Sequence, residues 1–238
     1  MHAIEIKELT KKYKELTAVS GISMTIEEGE MISLLGMNGA GKTTTIKMLS
    51  CLAKPTSGDA LVFGKSILTE QEAVKQVIGI SPQENSAAKN LTVLENLKFM
   101  CGIYGIPKEK QQENIDRIVK DFSLSERLNI RAGKLSGGWQ KRLSIAMALI
   151  TDPKVLFLDE PTLGLDVVAR RELWHVIESL KGKITIILTT HYMEESENLA
   201  DRIAIMKDGV LKEYSTLEEL RAKTGEQSLE EIFLKLTV

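Results

Sequence analysis

Nine consecutive residues, Gly36-Met37-Asn38-Gly39-Ala40-Gly41-Lys42-Thr43-Thr44, follow the pattern G-x-x-x-x-G-K-[ST]. That pattern suits a phosphate group. Its glycines let backbone N–H groups converge on phosphate oxygens without obstruction by a Cβ. A helix beginning at this point adds partial positive charge. Lys42 has the reach for the β- and γ-phosphates of a nucleotide, and the Thr43 hydroxyl suits a magnesium ion. Gly36, Asn38, Gly39, Ala40, Gly41, Lys42, Thr43 and Thr44 are therefore the candidate nucleotide-binding residues. ATP and Mg²⁺ are the ligands that they imply.

A second constellation is acidic. The apolar run Val155-Leu156-Phe157-Leu158 ends in Asp159-Glu160-Pro161-Thr162. Two carboxylates at the end of a buried strand are costly unless paired or metal-bound. Beside a phosphate loop, Asp159 is the candidate Mg²⁺ ligand with Thr43. Glu160, one residue further, is the candidate group to orient or deprotonate an attacking water.

These residues need a strand to feed them and a helix to leave them, and both are legible. Residues 31–35 are a short apolar run, as a buried strand would be. Residues 43–52 carry Ile46, Leu49 and Leu52 at helical spacing, with Pro55 beyond to stop the helix. Upstream, residues 3–9 and 19–26 read as strands, 11–14 as a polar turn and 59–63 as another strand. These look antiparallel. From 91 to 128 the pattern is helical, broken by Gly102, Gly105 and Pro107, and 143–150 reads as a third apolar helix. After Pro153 strands and helices alternate: strands at 155–158, 184–188 and 202–206, helices at 168–180 and 194–199. Continuous apolar strands with helices between them indicate a parallel sheet covered on both faces. Residues 207–210 signal a hairpin, and 216–221 and 229–236 read as short closing helices. Glu194-Glu195 reads as a first-turn charge preference, and Met24, Met48, Met147 and Met206 as core.

Composition narrows the classes. A chain of 238 residues can bury roughly 70–75% of its unfolded surface and needs no staples. The formal net charge of -2 gives no footprint for a polyanion, so nucleic acid is not expected as a partner. Cys51 and Cys101 have no metal-like spacing, and a reducing compartment is expected. The first residues lack the order of a signal peptide, and no apolar run approaches the ~20 residues that a membrane span needs.

Leu135-Ser136-Gly137-Gly138-Trp139-Gln140 resembles the signature motif of the ATP-binding cassette (ABC) ATPases, and the resemblance extends over nearly the whole chain. It implies that Ser136, Gly137 and Gly138 cap the ATP held by a second subunit. It further implies that Tyr13 stacks on adenine and that Gln83 touches Mg²⁺ and couples to a transmembrane partner. Gly164-Leu165-Asp166 resembles the loop that reaches across the dimer, and His191 the histidine that contacts the γ-phosphate. The fold implied is an α/β P-loop NTPase: a RecA-like parallel core, an N-terminal antiparallel β-subdomain and an inserted α-helical subdomain. Its boundaries would be 1–83 for the β-subdomain and first core segment, 84–152 for the helical insert, and 153–238 for the rest. Trp139 departs from the usual motif and leaves the packing beside the nucleotide open.

The resemblance implies an ATPase subunit that dimerises around two ATP molecules. Its partners would be an integral-membrane permease and a second nucleotide-binding subunit, with the chain peripheral at the cytoplasmic face of the membrane. Tyr192-Met193-Glu194-Glu195 and Leu229-Glu230-Glu231-Ile232-Phe233-Leu234 resemble the subfamily that serves separate ABC-2 type export permeases. Phe99, Ile103 and Tyr104 are candidates for docking, or equally for core. The competing reading is a soluble ABC ATPase that acts on DNA or ribosomes. A P-loop kinase would have no use for Ser136-Gly137-Gly138.

Overall fold

The computed structural model describes residues 2–238. Its first sheet is antiparallel. β1 (His2–Tyr13) and β2 (Leu16–Glu27) form a hairpin. β4 (Ser57–Val62) pairs with the other edge of β1, and β5 (Lys65–Ser66) completes the order β2-β1-β4-β5. Ile22, Met24 and Ile26 alternate inward along β2, which is the period-2 pattern of a sheet with one wet face. The polar turn expected at 11–14 is displaced. β1 runs on to Tyr13, which pairs with Leu16. Both side chains are exposed there, so polar residues cost nothing at that end of the hairpin.

The second sheet holds β3 (Met31–Leu35), β6 (Ile78–Ser81), β7 (Val155–Asp159), β8 (Thr185–Thr190), β9 (Arg202–Lys207) and β10 (Val210–Ser215). Its order is β10-β9-β3-β8-β7-β6, parallel throughout except for the β9–β10 hairpin. Every residue of β3, β7 and β8 is buried, as the continuous apolar runs require. Helices cover the sheet: α1 (Lys42–Leu49), α2 (Gln71–Lys75), α6 (Val167–Glu178), α7 (Met193–Leu199), α8 (Leu217–Thr224) and α9 (Leu229–Thr237). α1 stops short of residue 52 because Cys51 turns to a left-handed φ of 60°.

Between β6 and β7 lies the helical segment: α3 (Val93–Ile103), α4 (Lys108–Asp121) and α5 (Gly137–Ala148). Thr92 and Glu95 form a reciprocal capping box that starts α3. α5 begins six residues earlier than the apolar pattern at 143–150 suggested, since Gly137-Gly138-Trp139-Gln140 hides its first turn. Phe99, Ile103 and Tyr104 are 54%, 59% and 51% exposed, so they are surface and not core. The four methionines expected in the core are buried. Among the described residues, no helix is long and apolar enough to cross a membrane.

The sequence pattern gave no sign of β6, and Gly79 is the reason. It splits the apolar pair Ile78 and Ile80, yet a Cβ at that position would lie 2.3 Å from the carbonyl oxygen of Ala148. Bare backbone is what lets α5 lie down on the sheet here. Gly79→Ala should therefore lower stability by about 1–3 kcal/mol through overpacking, seen as a lower midpoint in urea with an unchanged slope.

Candidate functional site

Three neighbouring parallel strands end together. Leu35 pairs with Thr190, and Asp159 pairs with Thr189. The 36–44 loop leaves the end of β3, Glu160 the end of β7 and His191 the end of β8. Loops at the carboxyl ends of parallel strands are where α/β sheets build ligand sites. The cleft there has a volume of about 720 Å³. Tyr13, Asn38 to Thr44, Gln83, Glu160 and His191 line it. Leu16, Thr17, Ala18, Leu163 and Asp208 also line it, and nothing in their types pointed to it.

The phosphate loop is braced from behind. Gly41 has φ 98°, and a Cβ on it would fall 2.5 Å from the Ala18 carbonyl oxygen. Glycine is thus required by conformation and by space. Gly36 does not line the cleft. A Cβ on it would meet the Met206 carbonyl oxygen at 2.5 Å, so its smallness serves packing on β9. Its own carbonyl accepts from Lys42 Nζ at 2.7 Å.

Lys42 is buried, and its ammonium is shared. Nζ donates to the carbonyls of Gly36 and Met37 and lies 3.2 Å from Glu160 Oε1. The other Glu160 oxygen, Oε2, is 2.9 Å from His191 Nδ1. Glu160 is 6% exposed and holds a left-handed φ of 47°, a costly backbone state for a residue with a Cβ. Its N–H reaches the Thr189 hydroxyl at 2.9 Å. That hydroxyl donates to Asp159 Oδ1 at 2.6 Å, and Thr43 Oγ1 donates to the same oxygen at 2.9 Å. Thr189 thus ties both carboxylate residues to β8. A threonine pair closing an apolar strand was the available signal for it.

The donor set at Asp159 is hard oxygen, its carboxylate and the Thr43 hydroxyl, and Gln83 is in the wall of the cleft that Thr43 lines. Among the described residues no group of three or more His, Cys, Asp or Glu is placed to hold a metal by itself. One carboxylate beside a phosphate cradle fits Mg²⁺, which takes few protein ligands and completes its shell with water and phosphate oxygens.

Ser136, Gly137, Gly138 and Asp166 lie outside the cleft lining. Ser136 occupies the N-cap of α5 but makes no capping bond with its side chain. Asp166 caps α6 by accepting the Ala169 N–H at 2.9 Å. Trp139, the departure from the motif, is stacked between two guanidinium groups, Arg127 at 3.6 Å and Arg142 at 4.2 Å from its ring centre.

α5 is also bonded to the segment that carries Gln83. Lys141 is buried and donates to the Gln83 carbonyl. Asn85 donates to Gln140 Oε1 at 2.8 Å, and the Ser144 hydroxyl meets those of Ser81 and Ser86. Burial pulls the Lys141 pKa down, with Asp159 and Glu160 opposing. Glu194 and Glu195 both fall in the first turn of α7 as expected, but Glu195 is fully buried there, bonded to Thr162 and Trp174.

Residues 19–163 match the family described as ABC transporter. The chain is 39% identical over 239 residues to the probable multidrug ABC transporter ATP-binding protein YbhF of Escherichia coli K12, covering 98% of this chain and 41% of that protein. It spans well under half the length of the curated relatives it matches, from 13% to 41% in two cases. A solved ATP-binding subunit of an ABC transporter superposes with a TM-score of 0.86 at 28% identity, covering 98% of this chain and 99% of that one. A bacterial ABC transporter cassette solved as a dimer gives a TM-score of 0.78 at 27% identity over 90% and 98% of the two chains.

Thr189→Val should test the brace. It removes the donor to Asp159 and the nearer of two acceptors of the Glu160 N–H, leaving the Thr189 carbonyl at 3.2 Å, at a cost on the order of 1–3 kcal/mol in stability. Nucleotide affinity should change less than about threefold, while ATP turnover falls about tenfold or more, because the phosphate loop is untouched and Glu160 is not.

Proposed function

The chain belongs to the ABC transporter family as an ATPase cassette, and on that premise we propose that it powers an export-type transporter by closing with a second cassette around two ATP molecules. The observation that carries this reading is a separation. The cleft holds Lys42, Thr43, Glu160 and His191 but not Ser136, Gly137 or Gly138. The free N-terminus of α5 is a ready anion site with no anion-binding neighbour on its own cleft. A second chain brings one α5 to each cleft.

In this reading Asn38 to Thr44 wrap the phosphates, Lys42 neutralises the β- and γ-oxygens, and Tyr13 stacks on the base. Thr43, Gln83 and Asp159 would hold Mg²⁺, which would supply positive charge to offset that of the phosphates. Bound nucleotide draws Lys42 away from Glu160, because a phosphate is the stronger partner for an ammonium than one shared carboxylate. Glu160 then orients and deprotonates the attacking water, still held by His191 from its other oxygen. Phosphoryl transfer asks mainly for such positioning and charge stabilisation.

The exposed trio Phe99, Ile103 and Tyr104 on and just after α3 supplies an apolar face for a membrane permease, and the Gln83 segment clamped to α5 is the route by which that contact reaches the cleft. A separate permease of the ABC-2 export type is the partner this reading favours, with the cassette at the cytoplasmic face of the membrane. The multidrug assignment in the name of the Escherichia coli relative supports export.

Glu160→Gln tests the proposal. With Mg-ATP the variant should elute as a dimer in size exclusion, and turnover should fall about 10²–10⁴-fold, some 3–5 kcal/mol of barrier. A folded variant that remains monomeric at saturating ATP would contradict it.

A further inference from the structure

Glu195 is the most deeply buried acidic side chain among the described residues, at 0% exposure. Its Oε1 accepts two hydrogen bonds, from Thr162 Oγ1 at 2.9 Å and from Trp174 Nε1 at 3.0 Å. Oε2 has no hydrogen-bond partner. No lysine, arginine or histidine lies within ion-pair distance among the described residues.

The donors come from parts of the chain that the hydrolytic centre depends on. Thr162 sits two residues past Glu160, in the turn where the Leu163 N–H closes back on the Glu160 carbonyl. Trp174 is on α6, the helix that Asp166 caps directly after the 164–166 loop. The Thr190 hydroxyl, on the strand end that delivers His191, accepts from the Tyr192 N–H at 3.0 Å. α7 itself is pinned to β3, the strand that feeds the phosphate loop, by the Ser33–Ser196 hydroxyl pair at 2.6 Å. A single carboxyl on α7 therefore ties the turn that follows Glu160 to α6.

We propose that Glu195 is a positioning residue for ATP hydrolysis: it fixes the turn that follows Glu160 against α6 and α7 from beneath the cleft. This role presupposes that Glu160 and His191 serve hydrolysis. Glu195 touches no nucleotide and lines no part of the cleft. Its effect passes through Thr162 to the backbone that holds Glu160 in its left-handed state. A side chain with no acceptor here would leave the Thr162 hydroxyl and the Trp174 indole N–H buried and unpaired, and the turn would relax to re-pair them.

Burial pushes the Glu195 pKa up, the hydrogen bonds from Trp174 and Thr162 oppose that, and the Glu160 charge pushes it up again. Glu160, from the β7 turn, is the charged group that acts on it. Trp174 from α6, Thr190 from β8 and Ser33 from β3 bring none. The folded chain thus keeps a proton that the unfolded chain has already lost. Its stabilising contribution is complete below the ordinary carboxylate pKa and declines as pH rises towards the raised folded value.

Steady-state ATPase assays on the full chain, normalised to nucleotide-binding sites counted by titration, test the proposal. Glu195→Leu should lower kcat per site about tenfold or more while the KM for ATP moves less than about threefold. Glu195→Gln keeps an oxygen for both donors and should restore at least about a third of the wild-type kcat. Because the amide cannot ionise, the ratio of Gln to wild-type kcat should rise with pH, and the Gln variant should gain melting temperature over wild type along the same series. A folded Glu195→Leu with wild-type kcat per site would overturn the proposal. If Glu195→Leu does not fold, a pH-independent Gln to wild-type ratio together with unchanged kcat in Trp174→Phe would overturn it instead. Absence of ATP hydrolysis by the wild-type chain would sink the hydrolytic reading itself, a result distinct from either of these.

Discussion

The site depends on one buried carboxylate that is held from both sides. Glu160 sits between the Lys42 ammonium at 3.2 Å and the His191 ring at 2.9 Å, almost out of contact with water. A lone carboxylate in such a place would give up its charge or its position. Both partners arrive from strands other than its own, so the arrangement exists only if β3, β7 and β8 lie side by side, parallel and in register. The all-apolar strands enforce that arrangement: the sheet must be covered on both faces, and helices must return the chain each time. The Thr189 hydroxyl then locks the last degree of freedom by bonding to Asp159 and to the Glu160 N–H at once.

The other face of the chemistry lies elsewhere on the same chain. The α5 N-terminus lies outside the lining of its own cleft, with Leu165 and Ala169 as the neighbours of Gly137 and Gly138. The rest of α5 is anything but free. Lys141, Gln140 and Ser144 grip the Gln83 segment, so a displacement of Gln83 at the cleft and a displacement of Ser136 at the far surface cannot be independent. In the two-copy mechanism proposed above, these bonds would couple the segment at one cleft to the segment that caps another.

Contiguous chemistry was legible in the sequence and dispersed chemistry was not. Lys42, Thr43, Asp159 and Glu160 sit in short motifs at the ends of apolar runs, and the runs give the strands. Tyr13, Gln83 and His191 have no motif of their own and were placed by likeness; the structure lines the cleft with all three. β6 escaped because its central residue is a glycine that suits helix contact and not strand propensity. The burial of Glu195 was illegible for a deeper reason. Acidic residues in the first turn of a helix are the rule at the surface. Whether such a residue faces water is decided by Trp174 and Thr162, 21 and 33 residues away in sequence. No local pattern encodes that.

A shared site requires that neither chain complete the reaction alone. The direct measurement mixes two inactive variants: Lys42→Ala, which cannot hold nucleotide in its cleft, and Ser136→Arg, which cannot cap the cleft of another chain. Each alone should show no turnover. Mixed together, they form one complete site from the intact cleft of the second and the intact α5 N-terminus of the first, and ATP hydrolysis should return. If Ser136→Arg hydrolyses ATP normally by itself, or if the mixture of two folded variants stays silent, the shared site is contradicted.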